Sequence, residues 1–454
     1  MFLNEELNHK WKAVLDHPNL VPITDMHKRA CMAMMLENAE QSAYQTEHHV
    51  PGAHNLFETG DIPVNLMGAS ASTGQTTIDT FDPVLISLIR RSLPNLISYD
   101  LAGVQPMSGP TGLIFALRSR YTSQAGVESF FNEANTEFSS VTLGTNVFGQ
   151  WHIGQLPAAN GADANTYNTG SGMSRAQAET LGTSANVAFA EMALSIEKVT
   201  VEAKSRALKA GYTLELAQDL KAIHGLNAED ELSNILQTEI LAEINREFIR
   251  TLNFVAKNGS QTDTAVTGTF DLDVDANGRW SVEKFKGLHF HLEREANIIA
   301  KETRRGKGNI MLCSADVASA LNAAGLLSYT PQMPTNLQVD DTGNTFAGTM
   351  GRIRVYIDPY AIGGNYFTMG FKGGSPFDAG LFYCPYIPLQ MVRAIDPDSM
   401  TPRIGFKTRY GIVNHPFAGG GGTSGTGSSA IRQYGALIKD SNVYFRKSLV
   451  THLM

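Results

Sequence analysis

The stretch "DLAGVQPMSGPTGLIFALRSRY", Asp100 to Tyr121, crowds three glycines and two prolines between Gly103 and Gly112, then runs "LIFAL" straight into "RSRY". Proline lacks an N–H and fixes φ, and glycine opens backbone conformations that other residues avoid. Turn residues this dense followed by one short apolar run mark a chain that leaves one body to build another.

Downstream, residues 103–173 read as loops and short strands. Within them, "FGQWHIGQLPAANGADANTYNTGSGM" (Phe148 to Met173) is nearly uncharged and longer than an ordinary connection, the signature of a projecting, partly β-structured loop. Helix is then expected over "SRAQAETLGTSANVAFAEMALSIEKVTVEAKSRALKAG", ending at Gly211, and over "TLELAQDLKAIHG", capped by Thr213 and stopped at Gly225. The clearest element spans residues 228–256. Leu232, Leu236, Ile240, Ile244, Phe248 and Leu252 recur every four residues, with Ile235 and Val255 beside them and Asn227 as cap. At ~1.5 Å per residue this strut is on the order of 43 Å long.

Upstream, residues 1–50 are polar and helical, with Met32, Met35 and Leu36 near one face. Val50 to Thr77 reads as an extended arm, and a short helix follows over Pro83 to Ser92. The second half reads as α/β. A hairpin is expected on Asn277-Gly278, a helix over "VEKFKGLHFHLEREANIIAKETRRG" with Phe285, Leu288, Leu292 and Ile299 inward, and a buried strand at "NIMLCS". The helix "ADVASALNAAG" follows, then strands at "RIRVYIDPY", "NYFTMGF", "AGLFYCPY", "RIGFKTRYGIV" and "VYFRKSLVTHL". The glycine run 418–430 is an adaptable loop.

The 454 residues are 43% apolar and only 18% charged, with a net charge of −8. A protein that grips nucleic acid carries a basic surplus, because affinity comes largely from neutralising phosphates. This chain has none, although one that merely encloses nucleic acid would not need it. Cys31, Cys313 and Cys384 lie far apart, which argues against a disulfide framework or a zinc knuckle and fits a reducing compartment. A signal peptide and a membrane-spanning apolar run are not found.

Candidate chemistry is thin. "GASASTGQTT" (Gly68 to Thr77) has five residues between its glycines and Gln75 where a phosphate-binding loop needs Lys. In "HFHLERE", His289 and His291 project about 200° apart on a helix and cannot share a metal; His48-His49 is a polar pair in the arm. "TRRGKGN" (Thr303 to Asn309) places Arg304, Arg305 and Lys307 at a helix end, where cations complement the dipole. No catalytic, cofactor-binding or metal site is assigned, and an unrecognised hydrolase would need a pocket of convergent polar groups.

The segment Ser87 to Tyr121 closely resembles the major capsid proteins of T4-like tailed bacteriophages. The likeness continues, in collinear order, through Ala210 to Ile249, Glu295 to Ser314, Gly380 to Gln390 and Lys407 to Phe417. The resemblance implies an α+β, HK97-like capsid fold. Its expected parts are an N-terminal segment 1–58 removed on maturation, an N-arm 59–104, an E-loop 105–175 with an insertion, and a P domain 176–280 with a long spine helix. An A domain 281–400 and returning C-terminal strands 401–454 complete it.

The implied function is the subunit of a viral shell, assembled in the bacterial host cytoplasm from hexamers and enclosing double-stranded DNA without sequence-specific binding. It is not an enzyme and needs no cofactor. The implied partners are further copies of the chain, a vertex protein, a scaffold, a maturation protease and decoration proteins. "NLFETG" makes Glu58 the candidate cleavage position, and Arg304, Arg305, Lys307, Arg118 and Arg120 are candidate inter-subunit contacts. A pentameric vertex protein of the same family and a cellular nanocompartment shell are the alternatives.

Overall fold

The computed structural model describes residues 7–16, 23, 25–48, 96–126, 128–130, 138–139, 172–182, 189–262, 264–276, 278–329, 345–361, 363–375, 377–396, 401–416 and 437–453. The arm 59–95, Glu58, Gly68 to Thr77, the Pro83 to Ser92 helix, His49, Asn277 and the 418–430 run lie outside them. So does most of Phe148 to Met173.

In chain order the helices are α1 (Lys12–Leu15), α2 (Met26–His48), α3 (Ser98–Leu101), α4 (Arg175–Glu179), α5 (Leu214–Asp219), α6 (Ala228–Val255), α7 (Ser281–Thr303) and α8 (Ala315–Ala323). The strands of the first half are β1 (Gly103–Val104), β2 (Thr111–Tyr121), β3 (Met192–Glu202), β4 (Lys204–Gly211), β5 (Ala256–Asn258) and β6 (Thr269–Asp271). Those of the second half are β7 (Ile310–Ser314), β8 (Ser328–Tyr329), β9 (Thr345–Met350), β10 (Ile353–Asp358), β11 (Asn365–Gly370), β12 (Leu381–Ile395), β13 (Pro402–Asn414) and β14 (Asn442–Thr451).

The chain is mixed α and β and divides into two compact units, Met1–Leu113 with Thr200–Met454, and Ile114–Val199. The first holds two sheets. One runs β1-β12-β13-β4; the other runs β5-β14-β11-β7-β10-β9-β8, with β6 also on β14. β2 and β3 form a separate two-stranded ribbon.

Helix α6 forms as its stripe predicts. The Asn227 side chain accepts from Glu229 N–H at 3.3 Å, and three acidic residues fill the first turn, where they complement the helix dipole. Ile240, Ile244, Phe248 and Leu252 are buried; Leu232 is half-buried and Ile235 is exposed, one step off the stripe.

The two ends of α6 serve different cores. Its amino-terminal half (Leu236, Ile240, Leu241, Ile244) packs with α1, α2 and residues of β12 and β13. Its carboxy-terminal half (Phe248, Ile249, Leu252, Val255) packs with α7, α8, β7, β10, β11 and β14. Between them stand polar residues with assigned partners. Asn245 accepts from Ile97 N–H at 3.0 Å, and Arg246 pairs with the buried Asp358 at 2.7 Å.

Helix α7 buries Leu288, Leu292 and Ile299 as expected, with Phe285 at the margin of the core. Met32, Met35 and Leu36 of α2 are buried together. Thr213 caps α5 by accepting from Leu216 N–H at 3.3 Å, and the helix runs through a π turn, Leu220–His224, to Gly225 at φ +67°. All three thiols are buried and pushed up to about 12 by burial.

Two expectations fail. Among the described residues of the helix foreseen up to Gly211, only α4 is helical, and Met192–Glu202 and Lys204–Gly211 are the strands β3 and β4. "MALSIEKVTVE" alternates by two and carries Ile196, Val199, Thr200 and Val201, and β4 finds its ladder with β13, Lys204 opposite Tyr410. Asn277 lies outside the described residues, but the flanks expected to form a hairpin are not two paired strands: β6 ends at Asp271 and the chain is helical from Ser281. Instead Asp275 accepts from Ala265 N–H at 2.8 Å and from Asp271 N–H at 3.0 Å, and β6 pairs in parallel with β14. β12 joins β1 and β13, whereas β7 to β11 lie in the larger sheet, so residues 281–400 contribute strands to two sheets.

Phe248→Ala should cost ~3–5 kcal/mol, as cavity-forming core truncations do. Ile235→Ala should change stability by less than about 0.5 kcal/mol, as at other exposed positions. Denaturant midpoints of the unassembled subunit read both.

Candidate functional site: surfaces for assembly

Alternation in β2 and β3 gives the ribbon two faces. One face carries Arg118, Arg120 and Glu197, which are only 13%, 17% and 10% exposed. Arg118 pairs with Glu197 at 3.0 Å and lies 3.6 Å from Glu128. Arg120 reaches Glu197 at 3.4 Å, donates to Ser195 Oγ at 2.9 Å and to the Gly126 carbonyl at 2.8 Å. The opposite face presents Leu113, Phe115, Leu117, Met192, Leu194 and Ile196, each between 44% and 64% exposed.

The ribbon therefore has one face of paired, largely buried charges and one face of exposed apolar side chains. Fully covering one such side chain is worth roughly 1.5–3 kcal/mol, and a contiguous apolar face of this kind marks a surface that binds something. Arg118 and Arg120 are not free cations at a surface; they hold the two strands together.

A second apolar surface lies at residues 214–226. Helix α5 and its π turn bury no residue, and Leu214, Leu216, Ile223 and Leu226 are exposed. The adjoining β4 is an edge strand that bears Lys204 and Lys209. Edge lysines discourage further strand pairing, so side chains rather than the sheet edge are offered there.

The basic cluster after α7 is split by the fold. Lys307 pairs with Glu293, while Arg304 (φ +55°, the helix cap) and Arg305 are exposed. Gly306 lies under the Phe371 ring, 2.5 Å from where a Cβ would sit, and this fixes the turn. Two exposed guanidiniums are a small contact feature and fall short of a nucleic-acid stripe.

One group of residues has catalytic types. His291 Nε2 is 2.8 Å from Ser260 Oγ, which is 2.5 Å from Ser448 Oγ. Glu295 accepts from Ser260 N–H at 2.9 Å and from Arg446 Nε at 2.6 Å. The Ser260 hydroxyl and the Glu295 carboxylate both face Nε2, the latter at 3.9 Å, so no relay through the opposite ring nitrogen exists. Ser260 has no exposure, and a substrate cannot reach it. The cluster ties α7 to β14 and to the loop after β5.

The i,i+4 spacing of His291 and Glu295 was visible in sequence; Ser260, Arg446 and Ser448 were not. His289 and His291 stand apart, as the helix geometry required. Among the described residues, the one group with metal-ligating geometry is Asp271, Asp273 and His452, mostly exposed, with Lys284 already paired to Asp273 at 2.5 Å.

Burial, opposed by the nearby Glu295 carboxylate, holds the His291 imidazole below its ordinary value. The unfolded chain thus takes up a proton that the folded state refuses. Stabilisation from this group is complete above about pH 6.5 and is lost as pH falls below it, with a slope of at most ~1.4 kcal/mol per pH unit. The difference in denaturant midpoint between the parent and His291→Gln should therefore shrink from pH 7 to pH 5.

Residues 78–450 match the family model described as Major capsid protein Gp23. The chain is 42% identical to the major capsid protein of Serratia phage KSP90 and 40% identical to that of Salmonella phage ViI, in each case over 99% of both chains. Similarity to the capsid vertex protein of Enterobacteria phage T4 is 28% over 50% of this chain and 54% of that protein. Among solved structures, the capsid of Myoviridae phage XM1 aligns over 78% of this chain and 92% of that chain, at 8% identity and a TM-score of 0.39.

Proposed function

Since the chain belongs to the Gp23 family of major capsid proteins and so forms the capsid shell of a tailed phage, we propose that it works as an HK97-like tile set into hexameric capsomers around double-stranded DNA. The observation that carries this reading is the outward apolar face of the β2–β3 ribbon. A chain that keeps Phe115, Leu117, Leu194 and Ile196 in water has a partner for them, and in a shell the partner at hand is another copy. Contacts between unlike patches of identical copies close into rings.

In this reading the ribbon is the E-loop, α6 is the spine helix, and the β1-β12-β13-β4 sheet beneath its amino-terminal half belongs to the P domain. The larger sheet with α7 and α8 is the A domain. Arg304 and Arg305 touch a neighbouring copy, whereas Arg118 and Arg120 act by shaping the ribbon. The net charge of −8 suits a wall that must not cling to its DNA.

A maturation protease cuts after Glu58. A scaffold, a vertex protein and decoration proteins complete the particle. The near-complete coverage of major capsid relatives, against half for vertex relatives, favours the hexamer role over a pentameric vertex. The family match leaves the cellular-compartment alternative without support.

Phe115→Asp with Leu117→Asp puts two charges on the outward face of a subunit that does not use it internally. The double variant should keep its far-UV circular dichroism and unfolding midpoint yet give no shells or hexameric tubes by negative-stain microscopy. Assembly at parental yield would refute the ribbon contact. For the processing step, intact-mass measurement of mature particles should find a chain that starts at Thr59.

A further inference from the structure

Two helices are each left with charge of one sign on an outward stripe that also holds an exposed apolar side chain. On α6 most charges are used within the chain. Glu229 pairs with Arg393, Glu243 and Glu247 hold Arg206, and Arg246 holds Asp358. Glu231 and Glu239 are exposed and have no cationic partner among the described residues; between them stands Ile235, 57% exposed. At ~100° per residue, positions 231, 235 and 239 fall within an arc of about 80°. Helix α5, which abuts α6, adds exposed Glu215 and Asp219 beside the exposed Leu216 and Ile223.

On α7 the acids are the side chains consumed. Glu283 accepts from Arg279 N–H at 3.0 Å and Trp280 N–H at 3.4 Å, Glu293 takes Lys307, and Glu302 takes Lys257 and Arg446. Lys286, Lys301 and Arg304 stay exposed, with no carboxylate partner among the described residues, and Phe290 beside them is 72% exposed. Positions 286, 290, 301 and 304 fall within an arc of about 60°.

The helix dipole accounts for part of this, since it favours an acid at Glu231 and cations at Lys301 and Arg304. It does not account for Glu239 in the middle of α6 or Lys286 in the second turn of α7. Nor does it explain an isoleucine and a phenylalanine held in water on the same stripes. The base and the aromatic at 286 and 290 have the spacing of the acid and the aliphatic at 231 and 235, one turn apart.

We propose that these stripes are the two halves of one contact between copies: the α7 stripe of one copy seats on the α6 stripe Glu231–Ile235–Glu239 of the next, with Phe290 covering Ile235. The proposal rests on the reading of Arg304 and Arg305 as contacts with a neighbouring copy, and it names the surface that receives them. The two patches are unlike and lie on one chain, so the contact is head-to-tail and repeats around a ring. Like stripes repel, which keeps two copies from pairing through the same stripe. Complementary charge sets the register, and the apolar pair is desolvated at the centre. The ribbon contact is separate, because Phe115 and Leu117 lie in the other compact unit.

The test uses two double variants of the full chain with opposite reversals. One carries Lys286→Glu and Lys301→Glu on α7, the other Glu231→Lys and Glu239→Lys on α6. All four side chains are exposed, so each variant should keep its far-UV circular dichroism and unfold cooperatively. Each alone should lose at least tenfold in the yield of shells or hexameric tubes. Mixed in equal amounts they should assemble again, because alternation around a six-membered ring joins opposite charges at every α7–α6 junction. Assembly of either variant alone at parental yield overturns the proposal, and so does a mixture that does no better than its components.

A second measurement leaves the charges in place. Ile235→Cys and Phe290→Cys chains, co-assembled and oxidised with diamide, should give a disulfide-linked dimer on a non-reducing gel that neither chain gives alone; the three native thiols are buried. Absence of that dimer from assembled particles overturns the seating of Phe290 on Ile235. Arg304→Glu with Arg305→Glu tests the earlier reading by itself. Lost assembly there, alongside parental assembly of the α6 variant, would keep the arginines as contacts and remove the partner named for them.

Discussion

The constraint on which the rest depends is that one helix belongs to two cores. α6 is 28 residues long, ~42 Å at 1.5 Å per residue, and neither sheet alone can bury its stripe. Leu236 to Ile244 is paired with the four-stranded sheet and α2, and Phe248 to Val255 with α7 and the larger sheet. The hand-over falls at Asn245 and Arg246, where Asn245 accepts a hydrogen bond from Ile97 N–H and Arg246 forms an ion pair with Asp358. Removing Arg246 would leave the buried Asp358 carboxylate without its counter-charge, so the junction is fixed by penalty as much as by attraction. The neighbouring Glu247 takes Arg206 of β4 at 2.5 Å. A load applied to either sheet is thus passed along one rigid rod.

The ribbon follows the opposite logic from a two-stranded element of an ordinary enzyme. Two isolated strands are marginal in water. Here the Arg118–Arg120–Glu197 cluster, closed by Ser195 and the Gly126 carbonyl, holds the strands from the polar side, while the apolar face stays exposed. Ion pairs at 10–17% exposure are worth more than surface pairs, but they act mainly by fixing geometry. The ribbon is therefore shaped before anything covers it, which lowers the ordering cost of binding.

How much of this was legible in sequence depended on range. The stripe of α6, the inward face of α7 and the buried run of β7 are local patterns, and each formed where its period placed it. Residues 192–211 misled because Ala, Glu and Lys favour helix locally, whereas the β4 ladder lies with Arg403 to Tyr410, far along the chain. Asn277-Gly278 has hairpin chemistry, but Asp275 closes the preceding turn on its own terms. The Ser260–His291–Ser448 contact joins three distant segments and left no spacing to read. Arg118 and Arg120 were visible as cations, but their direction was not, because a strand's inward face is set by what packs on it. The second apolar surface at 214–226 read as an ordinary capped helix; nothing local distinguishes a face awaiting a partner from a face of the core.

Two kinds of apolar surface coexist in this chain. The surface under α2 is filled by the chain's own helix, pinned by Asn38, and belongs to the core of the subunit. The apolar face of the ribbon is exposed in the single subunit, so its contact strength must stay modest per copy and gain from repetition, or unassembled subunits would aggregate. Weak contacts repeated over many copies permit correction of errors during assembly while still summing to a strong shell.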